Sequence, residues 1–452
     1  MFNKPKIMMR CQYISGFTVA AFMATMTMPT TAHAGSFQIN ENSAIDLGRA
    51  NSGRVTQTQD ASIAYGNPAL MTQFKRLTIT STLSYIDGKG EFVDLGSTDV
   101  LGQPLGNEPG DFFDNAPVPA FALVYPYNEK LAFGLSVNAP YGLSSTYEAG
   151  DIQRYQALGS ALTTINVNPS FGYALSDTLS IGGGISLQYA HADLSSAIDF
   201  GAVCFAQLNP TSCGALGLTP QSADGELEII GDDISFGYNI GLAFTPTDNL
   251  TLGAHYRSGI EHRLEGDAEI TVPAQAQPLT ATGAFIDTQW GAGLPLPGVL
   301  EFGLQWKATE ALMLSANFNR TEWSDLQSLD VDFDNPAQPP TGEELFYDNS
   351  NRYAVGVDYA VSNNWTLRAG YAFDESPSQI DAPTARIPDS DRNIFAVGAS
   401  YSGWDFAELS VGYNHFNFKD TAFDKLGPTN DRVLGTSKVS VNVFAMGLTK
   451  SF

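Results

Sequence analysis

Fourteen short segments of this chain alternate, residue by residue, between apolar and small or polar side chains. A period of two marks a strand with one apolar face. No apolar run approaches the ~18 residues that a membrane-spanning helix needs. The first segment lies near 77–85, with Leu77, Ile79, Leu83 and Tyr85 in one phase. The third covers 130 to about 147, the fifth 179–191, the sixth 234–244 and the last 439–452. Connections alternate in length. PYNE from Pro126, LSD from Leu175, TPTDN from Thr245, KATE from Lys307, VSNN from Val361 and SGWD from Ser402 are short. Long polar stretches separate them, the longest near 192–233, 261–298 and 322–351. Short turns on one side and long loops on the other are how an outer-membrane barrel is built, with an even number of strands. A soluble sandwich has no reason to keep that rhythm. The expected fold is therefore all-β, a 14-stranded antiparallel transmembrane β-barrel. Phe452 ends the last strand in phase with Phe444, Met446 and Leu448, as an aromatic at the interfacial girdle would.

The start of the chain fits export. Lys4, Lys6 and Arg10 precede a mildly apolar run from Tyr13 to Met26, and Ala32-His33-Ala34 supplies small residues at a cleavage site. Residues 1–34 are expected to be a signal peptide, with the bacterial outer membrane of a Gram-negative cell as destination. Cys11 precedes the apolar run and is no lipid anchor. The formal net charge of −25 excludes nucleic acid as a partner. Beyond the signal, Cys204 and Cys213 are a possible small-loop disulfide in an exported chain. No histidine lies near them, so no metal site is expected, and no cofactor.

With one phase facing lipid, the other lines the lumen. It contains Thr78, Thr80, Thr82, Asn166, Asn168, Gly182, Gly184, Ser186, Asn239 and Gly241, together with the charged or titratable His255, Arg257, Glu301, Lys307, Asp358, Arg368 and Asp374. The Gly182-Gly183-Gly184 run lacks the lysine and helix of a phosphate loop, and is read as room inside a crowded barrel. Between Gly35 and Lys75 the alternation fails, in a moderately apolar, glycine-bearing segment. Residues 35–75 are expected to form an N-terminal hatch, a plug inside the lumen, and 76–452 the barrel. Asn67, Pro68, Ala69 and Leu70 mark a turn that seats the plug.

The ordered series DLGRANSG, DASIAYGNPALMTQF, NAPYGLSSTY, HYRSG, LPGVLEFGLQW, TEWSDLQSL, WTLRAGYAFDESP and RIPDSDR resembles the FadL family of outer-membrane transporters for long-chain fatty acids and other hydrophobic molecules. The resemblance spans nearly the whole exported chain. It implies a 14-stranded barrel with an N-terminal hatch. No energy-coupling motif stands near Gly35, so transport is expected to be passive. Ligand would be captured on outer loops, passed to a pocket above the hatch, and released through a gap in the wall. The expected partners are a hydrophobic small molecule, outer-membrane lipid and lipopolysaccharide, with the chain acting as a monomer. A channel for aromatic hydrocarbons and a general porin are the alternatives. An enzyme is not expected, because His191, His255, His262 and His415 lie in no nucleophile motif.

A fatty-acid tail needs an apolar pocket, and its carboxylate needs a cation, preferably arginine. Tail candidates are Phe37 and Ile39 in the hatch, Phe200 and Phe205 in the loop before strand six, and Phe285 and Trp290 in the loop before strand eight. Those loop residues equally suit packing of one loop on the other. Carboxylate candidates are Arg257, Arg368 and Arg154, with Lys307 disfavoured beside a short turn. Each is equally a partner for Glu301, Asp358 or Asp374.

One residue interrupts the pattern. Strand three carries Pro140, which has no N–H for a ladder. It lies about eleven residues above the turn at Asn128, roughly 25 Å up at ~3.3 Å per residue and a tilt near 45°. It either marks where the strand leaves the membrane or, as the resemblance implies, opens a lateral window at Asn138, Ala139, Pro140, Tyr141 and Gly142.

Overall fold

The structure, a computed structural model, describes residues 36–379 and 382–452. The expected signal peptide and Gly35 lie outside the described residues. The chain forms one closed antiparallel barrel of 14 strands. Several strands are broken into two segments, so the segments run from β1 to β20. The first half contains β1 (Thr78–Asp94), β2 (Ala116–Pro126), β3 (Leu131–Asn138), β4 (Gly142–Thr146), β5 (Gly159–Ala174), β6 (Leu179–Asp199) and β7 (Asp224–Thr247). Next come β8 (Leu250–Arg257), β9 (Ile260–Thr271), β10 (Thr288–Leu296), β11 (Val299–Lys307), β12 (Leu312–Thr321), β13 (Ser328–Phe333) and β14 (Thr341–Glu344). The ring is completed by β15 (Ser350–Ala360), β16 (Trp365–Asp374), β17 (Arg392–Tyr401), β18 (Glu408–Phe418), β19 (Thr421–Leu426) and β20 (Arg432–Ser451). It closes by pairing β1 with β20, from Thr78↔Ser451 to Asp94↔Gly435. Closure leaves neither the first nor the last strand with an open edge in lipid.

Side chains follow the alternation. Leu83, Tyr85, Ile185, Val397, Phe444 and Met446 are exposed on the outer face, whereas Thr78, Thr80, Thr82, Asn166 and Asn168 are buried on the inner one. Near the short turns the outer face turns aromatic. Trp365, Tyr401, Trp404 and Phe406 run in ring contact, with centroids 4.9–5.3 Å apart, as an interfacial girdle requires.

The strands run further outward than alternation suggests. β6 and β7 extend to Asp199 and Asp224, so the expected 192–233 loop shrinks to residues 200–223. β9 and β10 occupy most of 261–298, and β13 and β14 form a hairpin within 322–351. Above the lipid both faces of a strand meet water or polar neighbours. Glu226, Glu265, Asp267 and Glu269 then stand where the apolar phase would be, while the ladder continues beneath them. Within 200–223, two short helices, Phe200–Gln207 and Pro210–Ala215, are joined by a Cys204–Cys213 disulfide.

Almost every residue from 36 to 71 is buried. The segment holds short helices at Ala44–Leu47 and Ile63–Gly66 and a 3-10 helix at Pro68–Gln73. Its contacts reach round the ring. Ala61 N–H donates to Thr80 of β1, Asn67 to the Leu242 carbonyl of β7, Arg49 to Asp358 of β15, and Ser52 meets Ser315 of β12. It therefore occupies the barrel interior.

Glycines on the wall make that fit possible. Gly182 pairs with both Gly172 and Gly241, Gly253 with Gly303, Gly356 with Gly370, and Gly398 with Gly412. A Cβ on any of these would strike the inner segment: Pro68 and Ala69 at Gly172 and Gly182, Asn67 at Gly241, Val55 at Gly253 and Gly303, Arg49 at Gly356 and Gly370, and residues 44–48 at Gly398 and Gly412. Backbone meets backbone along this belt. Overpacking a tight core costs about 1–3 kcal/mol. Gly370→Val is expected to reduce the fraction of chain that reaches the heat-modifiable folded form on gel electrophoresis. Ala396, its wall neighbour, replaced by Gly, should leave that fraction unchanged.

Candidate functional site

Low in the barrel the inward phase is polar. Higher up it becomes apolar, with Leu162 of β5, Leu194 of β6, Leu264 of β9 and Trp290 and Leu294 of β10 facing a common space. Leu326, Leu345 and Ile387 close it from the outer loops, and Phe37 closes it from the N-terminal segment. The cavity is small, about 60 Å³. The Trp290 indole N–H donates to the Ile230 carbonyl at 3.1 Å, which fixes its ring edge. The Phe37 ring sits edge-on to Trp323 at 4.9 Å and to Tyr141 at 6.0 Å.

One end of the cavity is charged. Arg386, on the loop between β16 and β17, donates from Nη1 to the Gly159 carbonyl (3.0 Å) and to Ser160 Oγ (2.9 Å). Its Nε stands 3.5 Å from Glu343 Oε2, and the other Glu343 oxygen is 2.7 Å from Lys425 Nζ. Two cations thus share one carboxylate. Burial pulls the Arg386 guanidinium below the usual arginine range, countered by Glu343. Glu343 and Arg386 also line a second, outer cavity of about 370 Å³ with Leu194, Leu329 and Lys425. The two spaces adjoin through these shared residues. On the same loop, Asp389 accepts the Ser36 N–H at 3.2 Å, and Ser36 Oγ lies 3.1 Å from Tyr347 Oη.

The wall is broken beside the cavity. β3 ends at Asn138 and β4 begins at Gly142. β2 pairs with β3 only from Phe121↔Val137 downwards, and β4 pairs with β5. Residues 116–120 of β2 therefore have β1 on one side and, among the described residues, no ladder partner on the other. The freed backbone groups are taken up from inside. Ile39 N–H donates to the Pro140 carbonyl (2.8 Å) and Gly142 N–H to the Phe37 carbonyl (2.9 Å). Tyr141 exchanges bonds with Thr164 Oγ1, and Asn138 bonds Asn42 and Asn166. Phe37 consequently does two things. Its ring lines the cavity and its carbonyl accepts the Gly142 N–H at the break.

Of the residues singled out from the sequence, Phe37 and Trp290 line the cavity. The others lie elsewhere. Ile39 packs with Ile86, Val118 and Phe416 in a separate cluster. Phe200 and Phe285 stack edge-on at 5.0 Å, with Phe205 against them, joining the two outer loops. Arg368 is held by Asp358 (3.0 Å) and Ser400 (2.6 Å). Arg154 is held by Asp224 at 2.9 Å and by two backbone carbonyls. Arg257 lies over the Tyr65 ring at 4.1 Å, 3.9 Å from Glu301. Lys307 pairs with Glu310 near the surface. Arg368 and Arg154 are thus paired within the protein, whereas Nη1 and Nη2 of Arg257 are buried without a hydrogen-bond partner. Asn67 caps the Pro68–Gln73 helix and donates to the Val55 and Leu242 carbonyls, both at 3.0 Å, with Pro68, Ala69 and Leu70 buried behind it. Arg386, Lys425, Glu343 and Trp323 were not singled out. Arg386 opens the RIPDSDR stretch and Trp323 belongs to TEWSDLQSL, but neither sits on a strand whose phase would mark it as inward. No group of His, Cys, Asp and Glu among the described residues could hold a metal ion.

Residues 25–452 match the family described as outer membrane protein transport protein (OMPP1/FadL/TodX). A long-chain fatty acid transport protein of Escherichia coli O6:H1 is 30% identical over 425 residues, covering 90% of this chain and 92% of that protein. Outer membrane protein P1 of Haemophilus influenzae is 27% identical, covering 93% and 96%. Among solved structures, a Pseudomonas aeruginosa FadL homologue superposes with a TM-score of 0.84 at 24% identity, over 93% of this chain and 100% of that one. The Pseudomonas putida toluene transporter TodX gives 0.66 at 16% identity, over 90% and 98%. At these identities the structural likeness is one of fold.

Proposed function

We propose that this chain, which belongs to the outer membrane protein transport family OMPP1/FadL/TodX, carries long-chain fatty acids or similar single-tailed carboxylates passively across the outer membrane. The observation that carries the reading is an apolar cavity whose lining includes Arg386 and Glu343, with Lys425 bonded to Glu343 from the adjoining outer cavity. A ligand carboxylate takes over the cations from Glu343, and its tail enters the adjoining apolar space. Relatives named for long-chain fatty acid transport agree with that chemistry. A channel for aromatic hydrocarbons would have no use for a buried guanidinium, and a general porin would not have its interior filled.

The cavity volume says something further. Pockets that enclose a drug-sized ligand measure about 300–1,000 Å³, against about 60 Å³ here. A long tail fits only if a lining side chain leaves. Phe37 is the one lining residue on the N-terminal segment rather than on wall or loops. When the tail displaces its ring, the Phe37 carbonyl leaves Gly142 and the Ile39 N–H leaves Pro140. Loading the cavity then unseals the break at Ala139–Tyr141, and the tail exits sideways into the membrane. The segment 36–73 acts in this scheme as the hatch.

Arg386→Ala tests the reading. A hydrogen bond to a charged partner is worth about 1.5–3 kcal/mol, so the Kd for oleate is expected to rise about 10–100-fold. The Kd for a long alkylbenzene should stay within about twofold, since apolar burial is untouched. Equal loss for both ligands, or no loss for oleate, would overturn it.

A further inference from the structure

Among the described residues, Arg257 is the one buried arginine with neither Nη1 nor Nη2 hydrogen-bonded, although only 7% of it is exposed. Buried polar groups are normally bonded, charged ones above all. Its neighbours share the state. Asn239, opposite it on β7, has neither side-chain atom bonded. His255, two residues below it on β8, has neither ring nitrogen bonded, and Glu301 Oε2 has no donor. Contacts among these charges are long. Glu301 stands 3.6 Å from Arg54 Nε, 3.7 Å from His255 Nδ1 and 3.9 Å from Arg257 Nη2. Both guanidiniums lie against the Tyr65 ring, 4.1 Å and 5.7 Å from its centre, which holds them in place without using their N–H groups.

The cluster sits under the cavity. Arg257 is eight residues above the Asp248–Asn249 turn, roughly 19 Å at ~3.3 Å per residue and a tilt near 45°, so it lies deeper than Pro140. Tyr141 stands between the two. Its ring packs with the cavity lining, 6.0 Å from the Phe37 ring, and Arg257 and Arg54 are the cations that face its hydroxyl. The way down is closed. The hollow among Asn40, Asn42, Arg54 and Tyr65 measures about 10 Å³, room for about one water. The closure is continuous with the seal of the break. Ile39 N–H holds the Pro140 carbonyl, and the next residue, Asn40, accepts from Arg54 Nη1.

We propose that Arg257, with Arg54 beside it, is a second seat for the ligand's carboxylate, taken after Phe37 has been displaced and before the ligand leaves at Ala139–Tyr141. The proposal rests on the fatty-acid reading of the cavity. Arg386 holds the head at the outer end, and beyond it the lining is Phe37, Leu143, Leu162 and Tyr141. A carboxylate that enters such a lining with no cation ahead of it loses its hydration uncompensated. With one outer cation the acid would bind and stop. A second, deeper one draws the head inward past the break. The two differ in what they must release. Arg386 is already bonded to Gly159, Ser160 and Glu343, whereas the Arg257 fork has no bond to give up and suits a carboxylate bidentately. Lifting residues 37–39 takes Asn40 with them, which opens the seat and frees Arg54 at one stroke.

The test locates the head of a bound acid. A C16 acid with a diazirine at C3 is bound to purified, folded Phe37→Ala protein, whose cavity floor lacks the ring, and photo-adducts are mapped by mass spectrometry. Adducts are expected at two levels, on Glu343 and Ser160 above and on Tyr65 and Glu301 below. Adding Arg257→Gln should cut the lower adducts by about tenfold or more, as the loss of a charged hydrogen bond does. The upper ones should stay within about twofold. Arg257→Lys in place of glutamine should recover part of the lower set. The C16 alcohol with the same diazirine should show no dependence on residue 257. In a deletion strain, Arg257→Gln alone should lower oleate uptake about tenfold, with the Kd for oleate within about twofold because Arg386 and the apolar lining are untouched. Labelling of the Phe37→Ala protein at the upper level only, as when water alone satisfies the fork, overturns the proposal. So do lower adducts that survive Arg257→Gln, that lysine does not recover, or that fall equally for the alcohol. If neither level is labelled, the fatty-acid reading of the cavity itself falls.

Discussion

A chain in which Pro140 becomes Thr and Gly142 becomes Val should still bind ligand but no longer deliver it. Pro140 contributes a carbonyl and no N–H, so the strand cannot ladder through that point. Its carbonyl and the Gly142 N–H are instead engaged by Ile39 and Phe37. Threonine restores the donor and valine favours extended backbone. Residues 139–141 can then pair with the free edge of β2 at 116–120, and an uninterrupted wall is cheaper in lipid than one with unpaired groups. Uptake of radiolabelled oleate by a deletion strain is expected to fall to background, a loss of about tenfold or more if passage through this gate sets the rate. The Kd for oleate should stay within about twofold, since neither Arg386 nor the apolar lining is altered. Barrel assembly should be unaffected. Uptake at the unaltered rate would remove the break from the transport path.

Arg49→Leu should have the largest effect on the closed state. Arg49 is fully buried between Asp46 of the N-terminal segment (2.8 Å) and Asp358 of β15 (3.1 Å). Asp358 keeps a second cation, Arg368, and a bond from Gln59, whereas Asp46 loses its salt bridge and is left with only the more distant Arg54. Removing one partner of a buried pair costs about 3–5 kcal/mol, because the other charge is left uncompensated. That cost falls on the docked segment rather than on the barrel ladder. The expected result in planar bilayers is frequent large conductance steps where the unaltered chain is nearly silent. Adding Asp46→Asn should reverse much of the leak, since it removes the stranded charge. A silent Arg49→Leu protein would mean that the segment is held by its backbone fit alone.

The strands within the lipid were legible because a bilayer imposes one rule on one face. Leu83, Ile185 and Met446 obey it, and each marks its strand. The same strands continue beyond the lipid without that rule. The outer residues of β7 and β9 change there from Ile234 and Phe236 to Glu226 and Glu269, and the pattern disappears while the ladder persists. Pro140 betrayed its break because proline is rare inside a ladder. Cations were sought where periodicity points inward, which found Arg257, over the Tyr65 ring and 3.9 Å from Glu301, and Arg368, bonded to Asp358. Arg386 reaches the cavity on a loop that folds back into the barrel, and no periodicity describes a loop. Phe37 could be picked out as apolar near the start of the segment. Its second task, through its carbonyl, is a backbone property to which side-chain identity is blind.

The glycine belt has a consequence for how the molecule comes to exist. Where Gly172, Gly182, Gly241, Gly370 and Gly412 meet the inner segment, the clearance is that of bare backbone, and the bore is spent on its contents. A finished wall offers no width for a folded segment with helices and buried ion pairs to be threaded in afterwards. Residues 36–73 leave the secretion machinery before any strand does, while the seam between β1 and β20 needs the last residues of the chain. The expected order of biogenesis is that the contents are laid down first and the container is drawn closed around them.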